Sequence, residues 1–70
     1  MADSYRIKID MPLLVRSMSK GERRNMTEDE VREFLASNGV VHLENDWWLC
    51  EEITLGLFNE PEITARVPAD

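Results

Sequence analysis

His42, Glu44, Asp46, Cys50, Glu51 and Glu52 are the one local group of side chains whose types could bind a metal or move a proton. With one histidine and one cysteine in the whole chain, they cannot close a structural zinc site, which takes four ligands drawn mainly from those two types. The single cysteine also excludes an intrachain disulfide. Nucleophilic catalysis needs a base within hydrogen-bond reach of the nucleophile and a third group to orient that base. His42 has no Ser or Cys at a spacing that would provide this, so no enzyme activity, metal or cofactor is expected.

Two further possibilities rest on charge. Arg16, Lys20, Arg23 and Arg24 place four cations in nine residues around Gly21, which could track a phosphate backbone. No aromatic residue lies among them, so stacking on bases is not provided locally. In the opposite sense, the acids within residues 28 to 33, with Glu44, Asp46, Glu51, Glu52, Glu60 and Glu62, could imitate DNA phosphates against a basic protein. The formal charge of −6 is unevenly spread: residues 1 to 26 carry six cations against three acids, and residues 27 to 70 carry two against eleven. Such a split can orient a protein partner or a second copy, and it disfavours indiscriminate binding to phosphate.

The tryptophans Trp47 and Trp48 adjoin in Val40 to Cys50, which reads as two short strands joined by an Asx-rich turn. Successive strand side chains point to opposite faces, so a single-layer hairpin cannot bury both indoles against one core. A three-residue loop, Glu44 to Asp46, sets Leu43 opposite Trp47, Val41 opposite Leu49 and His42 opposite Trp48. That register makes one uniformly apolar side and is preferred; it turns Trp48 outward beside His42. A two-residue loop, Asn45-Asp46 in a type I′ turn, pairs Leu43 with Trp48 and turns Trp47 outward. The outward indole is either covered by residues 13 to 15 or the final segment, or is an anchor for a partner, since Trp and Arg dominate binding hot spots.

These residues need elements to hold them. Tyr5, Ile7, Ile9 and Met11 alternate with Arg6, Lys8 and Asp10, predicting a strand over about 5–11 that Pro12 ends or bulges. Residues 17–26 are polar, basic and contain Gly21, and are expected to form a mobile loop. Thr27 as N-cap with Glu30 three residues later forms a capping box, and Asn38-Gly39 supplies a stop, so a helix is predicted over about 28–38. Its apolar face would comprise Val31, Phe34 and Leu35, packed on Ile7, Ile9, Val41, Leu43 and Leu49. Strands are predicted at about 40–43, 47–50 and 63–67; residues 51–58 are ambiguous, since Ile53, Leu55 and Leu57 alternate like a strand while Leu49, Ile53 and Leu57 are spaced four apart like a helix, and a short helix or turn is preferred. The fold class is α+β: a single small domain, 1–70, with one helix on a mostly antiparallel sheet.

A chain of 70 residues buries only about 60% of its unfolded surface. Without a disulfide or metal, oligomerisation is the favoured source of further burial. No segment approaches the roughly 20 apolar residues of a membrane span, and the first residues have no basic and apolar leader pattern. A cytoplasmic accessory or regulatory protein acting by protein–protein contact is expected, with a homodimer as the first partner to consider. The alternative is association with nucleic acid, as a basic-loop binder or an acidic DNA mimic. The candidate interaction residues are Trp48, Trp47, His42, Arg16, Lys20, Arg23 and Arg24.

Overall fold

The structure, a computed structural model, describes residues 3–69. Strand β1 (Ser4–Ile9) leads directly into helix α1 (Met11–Glu22), and helix α2 (Glu28–Ser37) follows. Then come strands β2 (Val41–Glu44) and β3 (Trp47–Glu51), two 3-10 segments (Glu52–Leu57 and Glu60–Glu62) and strand β4 (Ile63–Pro68). The strands form one antiparallel sheet in the order β2-β3-β1-β4, and both helices pack on the same face of it, giving a two-layer α+β domain.

Helix α1 corrects two expectations. Residues 17–26 are not a loop, since all but the last four lie in α1, and β1 ends at Ile9 rather than at residue 11. The Asp10 side chain accepts a hydrogen bond from the Leu13 backbone N–H (3.2 Å) as N-cap, and Pro12 sits in the first turn, where a missing N–H costs nothing. Met11, Leu14, Val15 and Met18 follow at helical spacing and turn to the core. The helix stops when Arg23 enters the left-handed region (φ 57°) and its N–H donates to the Lys20 carbonyl.

Helix α2 has the predicted capping box: Thr27 Oγ1 accepts from the Glu30 N–H (3.2 Å), and Glu30 Oε1 accepts from the Thr27 N–H (3.0 Å). Gly39, at φ 78°, takes the left-handed position that ends it. The buried line of α2 runs through Val31 and Leu35, one turn apart, while Phe34 remains 36% exposed and is not a core residue. The ambiguous segment after β3 is a 3-10 helix, from which Leu55 and the following Phe58 pack against the core.

The core comprises Ile7, Ile9, Met11, Leu14, Val31, Leu35, Val40, Trp48 and Cys50. Val41 and Leu43, expected inside, are 53% and 43% exposed, and Leu49 is half-buried. Trp48, expected to face out, is 4% exposed. The physical reason is the pairing of β1 with β3. Ile7 stands opposite Trp48, and Ile7 must face the helices because Arg6 and Lys8 occupy the alternate positions. The hairpin mixes the two predicted registers. Val41 does pair with Leu49 and His42 with Trp48, but Glu44 pairs with Trp47 across a two-residue turn, with Leu43 extra on the β2 side as a bulge. Only Asn45 in this turn has positive φ (51°), so it is not the type I′ turn, which needs it at both central residues.

Candidate functional site

Both helices lie on the Trp48 side of the sheet, so the alternate side chains form a second face with no layer over it among the described residues. Register fixes what it carries. Val41, Leu49, Arg6 and Val67 form one row across the four strands, and Glu44, Trp47, Lys8 and Ala65 form the next. Strand β4 reaches this arrangement through a shift between its pairings with Lys8 and Ile9: Ile63 pairs with the core residue Ile9, and Ala65 and Val67 pair with Lys8 and Arg6. Arg6, Leu43, Glu44, Trp47 and Val67 line a shallow hollow of about 520 Å³ on this face. Trp47 is half-buried, and Leu43 and Val67 are 43% and 47% exposed. The arrangement is an aromatic and aliphatic surface with Arg6 and Lys8 along β1 and Glu44 at its rim.

Trp48 is held from both sides of the inner face. The His42 ring lies with its centroid 4.6 Å from the indole, and the Arg32 guanidinium stands 5.4 Å above it from α2. His42 Nε2 donates to the Asn45 carbonyl (2.8 Å), which fixes that nitrogen as the protonated one, and Arg32 Nε donates to Glu28 Oε2 (2.9 Å). His42 therefore braces the hairpin turn and its indole, and Trp48 has too little exposed surface to be an interface anchor.

The cations of the second half of α1 lie in the helix layer, across the sheet from Trp47. Arg16 and Lys20 are exposed, Arg23 ends the helix, and Arg24 Nη2 is bound to Glu30 Oε2 at 2.8 Å. This ion pair, with the Thr27 N–H, pulls the Glu30 carboxyl down to about 2, and Glu30 in turn raises the Arg24 guanidinium. The seven sequence-predicted residues thus do not converge: Trp47 alone belongs to the open face. Arg6, Leu43, Glu44 and Val67 were missed. The alternation of β1 announced Arg6 as outward and the preferred hairpin register set Leu43 on the face of Trp47, but the bulges that bring Glu44 and Val67 to the same face have no sequence signature.

Among the described residues no group of three or more His, Cys, Asp or Glu side chains is placed to hold a metal ion. Cys50 is buried, and burial, with the Glu51 carboxylate next to it, pushes its thiol up and so away from the reactive thiolate. No helix among the described residues is long and apolar enough to cross a membrane. Compared with protein-family models, curated proteins and solved structures, the chain matches none.

Proposed function

We propose that this protein is a small cytoplasmic accessory or regulatory protein that works by protein–protein contact, without catalysis, through the open face of its sheet. The observation that carries the reading is the uncovered row Val41, Leu49, Arg6 and Val67 beside Trp47, on a sheet whose helices pack on the other face. Leaving such apolar side chains in water forgoes about 25 cal/mol per Å² of burial, which a partner recovers. Trp and Arg are the residue types that most often anchor such contacts. A role on nucleic acid has less support: Arg24 is already neutralised by Glu30, and no aromatic residue stands among the α1 cations.

The test is affinity capture from nuclease-treated host lysate with the wild-type chain, a Trp47→Glu variant and a Glu33→Lys variant as bait, the last altering an exposed residue of α2. The expected result is a protein, or the untagged chain itself, retained by wild type and Glu33→Lys and lost with Trp47→Glu. Equal recovery by all three baits, or recovery only without nuclease, overturns the reading.

A further inference from the structure

The open face is electrically divided. On β1 it carries Arg6 and Lys8, both exposed and in neither of the ion pairs found among the described residues. On β2 and β3 it carries Glu44 and, by alternation from Trp47 and Leu49, Glu51, both exposed. The β1–β4 half is therefore cationic and the β2–β3 half anionic, and the division falls on the boundary between β1 and β3. Such a pattern is its own complement under a two-fold rotation about an axis lying in the face along that boundary, because the rotation exchanges the halves and keeps each row aligned.

We infer that the occupant of this face is a second copy of the chain, stacked sheet on sheet about that axis. The inference rests on the reading that the open face is a protein contact. In this arrangement Lys8 of each copy stands over the indole of Trp47 of the other with Glu44 beside it, and Arg6 lies over Leu49 next to Glu51. Val41 of one copy meets Val67 of the other. Two chains of net charge −6 repel one another at long range, whereas this face, with two cations and two acids, is electrically balanced and adds no net repulsion of its own. The sheet edges are poorer routes to a dimer. β2 has four residues and a bulge, and β4 has a register shift and ends in Pro68, devices that blunt edge-to-edge pairing. The face is small: four strands about 4.8 Å apart and some five residues long cover roughly 20 by 17 Å. A standard interface buries about 800 Å² per partner, so the dimer is weak and dissociates on dilution.

The experiment is light scattering or sedimentation of the wild type from about 10 μM to about 1 mM, the range in which so small an interface dissociates. It is repeated on two charge-inverted variants, Arg6→Glu/Lys8→Glu and Glu44→Lys/Glu51→Lys. All four positions are exposed, and circular dichroism checks that each variant is folded. The expected result is a mass that doubles with concentration in the wild type, monomers for each variant alone, and a one-to-one dimer when the two variants are mixed. Both variants remain net negative, so gross charge attraction cannot produce that dimer. A wild type monomeric throughout, or variants that dimerise alone as well as the wild type does, overturns the inference. A monomeric wild type whose Trp47 nevertheless governs lysate capture overturns the second-copy inference alone and leaves the contact reading standing; failure of both overturns both.

Discussion

Trp48, closed in between His42 and Arg32, is the one aromatic side chain in the buried core among the described residues. Trp48→Ala is expected to destabilise the domain by about 3–5 kcal/mol, whereas Phe34→Ala, at a residue 36% exposed, costs about 1 kcal/mol. Urea denaturation of the two variants measures the difference, and equal losses would show that Phe34 is a core residue after all. Residue type alone ranks these two aromatics alike. Their environments differ because Trp48 is tied by register to Ile7, while Phe34 lies to one side of the Val31–Leu35 line that α2 buries. The pairing of His42 with Trp48 was legible from the hairpin, but not which side of that pair the helices would cover.

At the scale of elements, helix α1 is the sharpest test. Ser17→Pro falls in its middle and should cost about 3 kcal/mol or more, whereas the same change in a mobile loop would be nearly neutral. Thermal melts of the variant decide between them. Its start was written in the chain as Asp10, Pro12 and the spacing Met11, Leu14, Val15, Met18, but the run Tyr5 to Met11 also continues the alternation of a strand. Helix α2 was legible because its signals are local: the Thr27–Glu30 box and Gly39 act within one turn of each end. The ion pair of Glu30 with Arg24, together with its bond from the Thr27 N–H, makes stability depend on pH. The Glu30 carboxyl sits at about 2 in the folded chain, below its ordinary 4.5, so its contribution is fully present above about 4.5 and is lost as pH falls toward 2. Urea midpoints should therefore drop more steeply between those values for wild type than for Glu30→Gln, and parallel profiles would refute the role of the pair.

For the whole molecule, coupling of folding to self-association predicts a melting temperature that rises with protein concentration. Calorimetry at two concentrations should show the rise in wild type and not in Arg6→Glu/Lys8→Glu; a concentration-independent transition in both would leave each copy to fold alone. The sequence by itself determined the α+β class, the capped second helix, the hairpin and the final strand, because each depends on side chains within a few residues of one another. Tertiary structure alone decided which face of the hairpin is buried. The hairpin carries apolar side chains on both faces, so its alternation does not say which one the helices will cover; β1, some forty residues before β3, makes that choice by placing Ile7, held inward by Arg6 and Lys8 at the alternate positions, opposite Trp48. A bulge in the hairpin sets Leu43 and Glu44 beside Trp47, and a second in β4 adds Ala65 and Val67 through pairing with β1, more than fifty residues away, a contribution that no local pattern shows.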